Sequence, residues 1–333
     1  MSFTNASNIF PEVKKFCEMV QKIKPYLSKF PNRWPKFQEI FDSTVNQVVL
    51  EFQRIEEDIA NKSKLNRIKK LFCDKYRRYF LHGELVKWSF EKPFGYPGDF
   101  KIIDKIYQNN PSTTGLDRLY DNHFLKLTAS CATRERKEDF KQELFKFIKN
   151  QEDNETRIMN LGCGSAREIK ELIEENPLKL FLKVTFDCYD FDNRAINYAK
   201  KLLKNISNVN FFEKHALRLA FSKDIEKEIC WKYDLIYSTG LFDYLDERLA
   251  TKLVSNLRKI LKDGGMMKIS NYREKSNNDS AYLMEWVCEW YLIYRTEDEF
   301  RRIFLNAGFS QNELQIIPQR SKVMQYCFAI RRR

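Results

Sequence analysis

The sequence lacks the paired cysteines and the long apolar runs that would identify a zinc protein, a disulfide-stapled protein or a membrane protein. Its eight cysteines are scattered and no two are spaced as C-x-x-C, so we expect reduced thiols and no bound metal ion. No apolar stretch approaches the roughly 20 residues that cross a bilayer. The first residues, "MSFTNASNIFPEVKK", lack the basic and then apolar pattern of a secretory signal. We therefore expect a cytoplasmic protein without a membrane span.

Acidic residues are in short supply in the first half of the chain. The whole sequence of 333 residues has a net charge of +12, and residues 1–150 hold 28 Lys and Arg against 19 Asp and Glu. A basic front half suits RNA, a membrane surface or an anionic small molecule. Lysines spread over exposed helix faces would need no such partner. The charges are spread out rather than clustered, which favours the second interpretation.

Apolar residues at three- and four-residue steps predict helices through the first 90 residues. These runs extend over 13–27, 37–59 and 64–88. The rigid turn "EKPFGYPGDF" at 91–100 then interrupts the helical pattern, and shorter helices follow it. We expect residues 1–150 to form a helical lid and substrate domain.

Short apolar strands alternate with amphipathic helices from residue 156 onward. The strand-like segments are "TRIMNLGCG", "LKVTFDCYDFD", "NVNFFEKHA" and "KYDLIYSTG". The first, second and fourth of them are followed by helical segments, and the turn "KDGG" precedes the strand "MMKISNY". Near the end, "TEDEFRRIFLNAGF" predicts a capped helix, and two closing strands follow. This alternation predicts an α/β fold, with a parallel sheet covered by helices on both faces. We assign it to a Rossmann-like domain over residues 151–333.

The turn after the first strand, "NLGCGSAREI", lies where sheets of this kind bind their ligands. Gly162 and Gly164 would let the backbone approach a ligand closely, and the following helix offers unpaired N–H groups. Arg167 replaces the third glycine of a pyrophosphate loop, which disfavours an NAD dehydrogenase. The second strand ends at Asp190, whose carboxylate can accept both hydroxyls of a ribose. Asp192 is the competing candidate for that role.

Together these segments resemble the class I S-adenosylmethionine-dependent methyltransferases, whose sheet closes with an antiparallel hairpin. The third strand ends where such enzymes hold an adenine edge, although His215 there could instead be a plain surface histidine. Two positions depart from the loop pattern of this methyltransferase family. Asn160 stands where an acidic residue often precedes the first glycine, and the third small residue of the loop is Ala166 rather than Gly. The resemblance implies S-adenosyl-L-methionine as the cofactor. The implied cofactor contacts are Asn160, Gly162, Cys163, Gly164, Asp190, Asp192, His215, Ala216, Ser238 and Thr239.

Three further stretches, "FGYPGDF", "YSTGLFDYLDE" and "MEWVCEWYLIYRTEDEF", resemble a bacterial methyltransferase family that includes enzymes forming methyl esters of 3-hydroxy fatty acids. The resemblance implies a small-molecule acceptor, with the turn projecting over the mouth of the cofactor site. The candidate catalytic residues are Asp243, Tyr96 and Asp99. The candidate acceptor contacts are Tyr96, Tyr244, Trp286, Trp290 and Arg295.

The chemistry of the acceptor stays open from the sequence. An ionised carboxylate needs a cation such as Arg295 to position it, whereas a hydroxyl or amine needs a base such as Asp243 or Asp99. Asp243 could instead cap or brace a helix, each aromatic candidate could be core packing, and the turn could be a simple elbow between helices.

Three other functions compete with methylation of a small molecule. S-adenosylmethionine can be attacked at its methionine carbon chain, giving aminocarboxypropyl transfer or cyclisation with release of methylthioadenosine. A basic helical front suits an RNA methyltransferase, but no RNA-binding module and no "NPPY"-like tetrad is visible, so nucleic acid is disfavoured as a partner. The intact glycine loop and Asp190 argue against a binding module that lacks enzymatic activity. The sequence is compatible with a homo-oligomer and does not decide the oligomeric state.

Overall fold

The structure is a computed structural model that describes residues 9–151 and 154–332. The chain divides into two compact units. The helical unit comprises residues 9–131 and Asn278–Tyr291, and the sheet unit comprises the described parts of 132–277 and 292–332. Within the described ranges, no helix is both long and apolar enough to pass through a bilayer.

Helices and strands follow the predicted order along the chain. The elements of the described residues are α1 (Pro11–Lys29), α2 (Gln38–Asp58), α3 (Lys62–Lys75), α4 (Glu84–Glu91), α5 (Phe100–Gln108), α6 (Gly115–Lys126), α7 (Thr128–Lys149), β1 (Thr156–Leu161), α8 (Arg167–Glu174), β2 (Val184–Asp190), α9 (Asn193–Leu202), β3 (Val209–Glu213), α10 (Ala216–Phe221), α11 (Ile225–Glu228), β4 (Tyr233–Ser238), α12 (Glu247–Lys259), β5 (Leu261–Tyr272), α13 (Ser280–Cys288), α14 (Glu297–Asn306), β6 (Leu314–Pro318) and β7 (Met324–Ile330).

The turn "EKPFGYPGDF" at 91–100 connects α4 to α5 in the helical unit. Asp99 caps α5, because its Oδ1 accepts the backbone N–H groups of Lys101 at 2.9 Å and Ile102 at 3.1 Å. The indole Nε1 of Trp88 donates to Asp99 Oδ2 at 2.7 Å. Capping of this kind is worth about 0.5–2 kcal/mol. The local role of this turn is therefore to start α5.

Aromatic rings fill the core of the helical unit, and Trp286 on α13 lies among them. Its ring stacks on Phe52 with centroids 4.4 Å apart and meets the edge of Phe72 at 5.7 Å. Its Nε1 donates to Glu56 Oε1 at 2.8 Å. Such ring pairs add about 0.5–1.5 kcal/mol each beyond area burial. Trp286 is thus a core residue of the helical unit.

The division into units differs from the boundary predicted at residue 150. Most of α7 lies with the sheet, and Asn278–Tyr291 lies with the helices although it follows β5 in sequence. Helix α13 is buried along almost its whole length, so it needs apolar neighbours on several sides. It finds them in the helical unit, a long-range pairing that sequence periodicity does not reveal.

The sheet has seven strands in the order β3-β2-β1-β4-β5-β7-β6. Strands β1 to β5 are parallel, whereas β7 runs antiparallel to both β5 and β6. This confirms the predicted Rossmann-like methyltransferase sheet with a closing hairpin. The chain order reverses between β1 and β4, the crevice where ligands of open α/β sheets bind.

Both faces of the sheet are buried, as predicted from its apolar strands. Ile158 on β1 packs into a core with α7, α8 and α9, while the next residue, Met159, packs into a second core with α10, α12 and α14. Neighbouring strand residues point to opposite faces, so one short strand contributes to both cores. This packing rigidly positions the carboxyl ends of β1, β2 and β4.

The segment "KDGG" differs from the predicted turn before a strand. It lies within β5, where the pairing with β4 shifts between Tyr233 and Leu235. Gly264 has φ +78°, and a Cβ on Gly265 would lie 2.9 Å from the Lys262 carbonyl oxygen. The two glycines therefore permit a bulge that no residue with a side chain would fit without strain.

Candidate functional site

Asp190 ends β2 with its carboxylate turned toward the glycine loop. Its Oδ2 accepts the backbone N–H of Gly164 at 2.9 Å, and its Oδ1 accepts that of Asp192 at 3.0 Å. Burial raises the pKa of this carboxyl, and the two N–H groups oppose the rise. Each carboxylate oxygen can accept a further hydrogen bond. Asp190 is thus held in place while retaining the capacity to accept two ribose hydroxyls.

The loop between β1 and α8 adopts left-handed backbone conformations at both of its glycines. Gly162 has φ +68° and Gly164 has φ +54°, values that glycine adopts without steric cost. The N–H groups of Gly162 and Cys163 donate to the Tyr189 carbonyl oxygen at 2.8 and 3.0 Å. Ala166, in the place of the third glycine, also has a positive φ of +50°. The loop is therefore tightly curled against the end of β2.

A buried hydrogen-bonded cluster that the sequence did not reveal lies beneath this loop. Asn160 Nδ2 donates to Glu168 Oε1 at 2.8 Å, and the Tyr237 hydroxyl donates to the same oxygen at 2.9 Å. Burial raises the pKa of Glu168, and these two donors oppose the rise. The signal available in the sequence was a carboxylate in the first turn of the helix that follows the loop. Glu168 thus places an acidic group beside Asn160, the residue at which the loop departs from the family pattern.

Two buried polar atoms in the same place have no hydrogen-bond partner within the described protein. They are Asn160 Oδ1 and Ser165 Oγ. Because buried polar groups are nearly always satisfied, these orphans suit a ligand with donor groups. The ammonium of a methionine moiety is such a donor, so the loop fits an S-adenosylmethionine molecule on this criterion.

Asp192 and His215 both cap helices at the carboxyl edge of the sheet. Asp192 Oδ1 accepts the backbone N–H of Arg194 at 2.9 Å and also pairs with its guanidinium. His215 Nδ1 accepts the N–H of Leu217 at 3.1 Å, and its ring lies 5.1 Å from that of Phe191. Capping occupies the Asp192 carboxylate, which favours Asp190 as the ribose ligand. His215 remains exposed beside a partly exposed aromatic ring.

The remaining predicted cofactor contacts lie at the ends of β1, β3 and β4. Cys163 and Ala216 are buried, and Ser238 is buried with its hydroxyl donating to the Leu161 carbonyl oxygen at 2.7 Å. The Thr239 carbonyl accepts the hydroxyl of Ser270. Ser238 therefore links the ends of β1 and β4.

Asp243 and Arg295 belong to a buried network that braces the segment after β4. Asp243 Oδ1 accepts from Asn271 Nδ2 at 2.8 Å and from the Tyr272 N–H at 3.0 Å, while Oδ2 accepts from Arg136 at 3.3 Å. Burial raises the pKa of Asp243, and the charge of Arg136 opposes the rise. Of the roles considered for Asp243, these contacts fit bracing better than that of a base.

The guanidinium of Arg295 donates its hydrogen bonds to acceptors within the sheet unit. Its Nη1 donates to the Phe242 carbonyl at 2.9 Å and to Asn271 Oδ1 at 2.7 Å, and its Nη2 donates to the Leu245 carbonyl. The side chain is only 4% exposed. These contacts tie the strand-four segment to β5 and account for Arg295 without a substrate.

The other candidates for acceptor contact are divided between the units. Tyr96 and the buried Trp290 lie in the helical unit, and Tyr244, which is partly exposed, lies in the sheet unit. The backbone N–H of Trp290 donates to the Met284 carbonyl oxygen at 3.1 Å. Their contact with an acceptor stays a prediction.

Comparison with known proteins agrees with this geometry. Residues 159–267 match a family model described as a methyltransferase domain. The chain therefore contains a class I S-adenosylmethionine-dependent methyltransferase domain, and S-adenosylmethionine is the cofactor of that domain.

One curated relative is malonyl-[acyl-carrier protein] O-methyltransferase 1 of Ilyobacter polytropus. It is 26% identical over 175 residues, which are 53% of this chain and 55% of the relative. The chain thus matches about half the length of that protein.

Two solved structures resemble this chain, one over its whole length and one over part of it. A crystal structure from Bordetella parapertussis, described as a possible exported protein, covers 100% of both chains with a TM-score of 0.55 and 16% identity. Magnesium protoporphyrin IX methyltransferase of Synechocystis, solved with bound S-adenosylmethionine, covers 61% of this chain and 84% of its own, with a TM-score of 0.43 and 13% identity.

Proposed function

We propose that the whole chain is a methyltransferase that transfers the methyl group of S-adenosylmethionine to an oxygen atom of a small molecule. The observation that carries this proposal is the Asp190 carboxylate, held by Gly164 and Asp192 with capacity for two more donors. The curated relative is named as an O-methyltransferase, which supports oxygen as the acceptor atom.

Residues around the glycine loop divide the binding of the cofactor between them. Asp190 would accept the ribose hydroxyls, and the N–H groups at the start of α8 would face the methionine carboxylate. Asn160, with Glu168 behind it, would accept from the methionine ammonium through its unsatisfied Oδ1. When bound, S-adenosylmethionine supplies an electrophilic methyl group.

A carboxylate is the acceptor that the side-chain contacts favour. Asp243 and Asp99, the two predicted bases, both use their carboxylates in internal hydrogen bonds. A carboxylic acid is already ionised at neutral pH, so its methylation needs no base. This supports a methyl ester as the product, in line with the resemblance to enzymes that esterify fatty acids. We further propose that the helical unit contributes acceptor contacts, with Tyr96 and Trp290 as candidates.

The test is incubation of the full chain with methyl-labelled S-adenosylmethionine and separate acceptor pools. The pools are malonyl-acyl-carrier protein, free dicarboxylates, fatty acids with and without a hydroxyl group, and total RNA. We expect S-adenosylhomocysteine as the nucleoside product and label that mild alkali releases as methanol, because methyl esters are base-labile.

Two variants provide the matched controls for this assay. Asp190→Ala should abolish labelling, whereas Asp192→Ala, which removes a carboxylate two residues away, should retain it. Methylthioadenosine as the product would contradict methyl transfer. Alkali-stable label in a small molecule would contradict a carboxylate acceptor, and label in RNA would contradict a small-molecule acceptor.

A further inference from the structure

The helical unit contains an apolar cavity that the function proposed above does not use. It is bounded by residues of α1, α2, α4, α6 and α13 and has a volume of about 30 Å³. Aromatic rings form much of its wall, including those of Phe16, Phe41 and Phe80. Leu283 is the partly exposed member of its lining, whereas the other lining residues are buried. Leu283 therefore marks the rim of the cavity.

One polar side chain in the lining, His123, has an unsatisfied atom. The side chain is only 8% exposed, and its Nε2 is buried without a hydrogen-bond partner in the described protein. Its other nitrogen, Nδ1, lies 2.9 Å from Asp42 Oδ1. An unsatisfied buried nitrogen of this kind costs about 1–3 kcal/mol. The cavity thus offers one hydrogen-bonding point within an apolar surface.

The surroundings of Asp42 decide which hydrogen bond His123 can make. Asp42 also accepts from Lys126 Nζ at 2.7 Å and from Gln38 Nε2 at 2.8 Å. Burial raises the pKa of Asp42, but the hydrogen bonds from His123, Lys126 and Gln38 outweigh it and bring the pKa below its usual value. An ionised Asp42 holds the imidazole proton on Nδ1. In the neutral imidazole Nε2 then presents a lone pair that can accept a hydrogen bond.

The chemistry of the lining selects among occupants. A buried water needs two to four polar partners, and this lining is mostly apolar side chains. A carboxylate would bring a negative charge into a lining made mostly of apolar side chains, which is costly. A hydroxyl on an aliphatic chain satisfies Nε2 with one donor and leaves only apolar atoms against the rings.

We propose that this cavity binds the hydroxyl-bearing end of an aliphatic alcohol, with the hydroxyl donating to His123 Nε2. The enclosed volume holds only that end, so the rest of the chain passes the rim at Leu283. Met284 lies beside it in the lining, and its flexible thioether side chain can adapt to chains of different length. The proposal is independent of methyl transfer.

Nitrogen NMR of the histidine-labelled full chain tests this binding. The sequence has three histidines, at 82, 123 and 215, so two of them serve as internal controls. Addition of 1-hexanol should shift the His123 Nε2 signal saturably and leave the other two in place. No shift of any signal, or equal shifts of all three, would overturn the proposal.

Variants of the ligand and of the protein distinguish the contribution of the hydrogen bond to His123 Nε2 from that of apolar contact with the lining. Hexyl methyl ether, which has no donor, and hexanoate should bind at least about fivefold more weakly than 1-hexanol, as loss of one buried hydrogen bond implies. His123→Phe should weaken 1-hexanol by a similar factor. Val45→Ile, which adds a methyl group to the lining, should weaken all alcohols while His123 stays intact. Equal affinity for the ether and the alcohol would refute the role of Nε2.

Discussion

Replacing Asp190 with alanine is the perturbation that most sharply tests the cofactor site. The variant removes the acceptor of two ribose hydroxyl hydrogen bonds, each of which, being made to a charged group, is worth about 1.5–3 kcal/mol. Allowing for water that replaces the carboxylate, we expect a loss of about 2–4 kcal/mol. That corresponds to a roughly 30- to 1000-fold rise in the dissociation constant of S-adenosylhomocysteine, measured by isothermal titration calorimetry.

The same change also affects the free protein, which must be measured separately. The N–H groups of Gly164 and Asp192 lose their acceptor, so we expect the free energy of unfolding to fall by about 1–3 kcal/mol. Asp192→Ala is the control, because it removes the cap of α9 and costs about 1 kcal/mol of stability without touching the ribose. Near-normal nucleoside affinity in Asp190→Ala, or a greater loss in Asp192→Ala, would refute the assignment.

Three further predictions concern stability. The hydrogen bond from His82 is the main cause that lowers the pKa of Asp117 from 3.8 to about 2, so its stabilising effect is present above about pH 4 and fades toward pH 2. Asp117→Asn should lower the urea midpoint at neutral pH by less than the equivalent of about 1 kcal/mol. The difference in midpoint between this variant and the unmodified protein should shrink as the pH falls toward 2. A difference that does not change with pH would contradict this prediction. Arg295→Lys should lower the free energy of unfolding by about 3 kcal/mol or more, because buried acceptors lose their donors; a cost under 1 kcal/mol would contradict the bracing role. Trp286→Phe should cost about 1–2 kcal/mol in chemical denaturation and Trp286→Ala about 3–5; equal costs would contradict ring stacking as the main contribution.

Features that depend on neighbours in sequence could be predicted from the sequence. The capping box of α14, formed by Thr296 and Glu299, is present as expected, because both partners lie within one turn. The glycine loop and Asp190 lie at the ends of consecutive strands, and parallel pairing brings those ends together. The parallel pairing of β1 to β5 follows from the alternation of strands and helices, and the antiparallel closing hairpin follows from the resemblance.

Features that depend on long-range pairing could not be predicted in this way. The contact of Glu168 with Tyr237 requires the side-chain directions of β4 and the pitch of α8, which no periodicity specifies. Arg295 has the sequence character of a substrate ligand, yet its acceptors are carbonyls some 50 residues away. Trp286 follows β5 in the chain but packs on Phe52 of α2. In each case the partner is set by tertiary packing.

A crystal structure of the full chain with S-adenosylhomocysteine would show whether the Asp190 carboxylate binds the ribose. We expect both ribose hydroxyls within about 3 Å of the Asp190 carboxylate oxygens and the ammonium of the homocysteine part beside Asn160 Oδ1. A nucleoside bound elsewhere, with the loop from Asn160 to Arg167 making no contact with it, would contradict this assignment of the cofactor site.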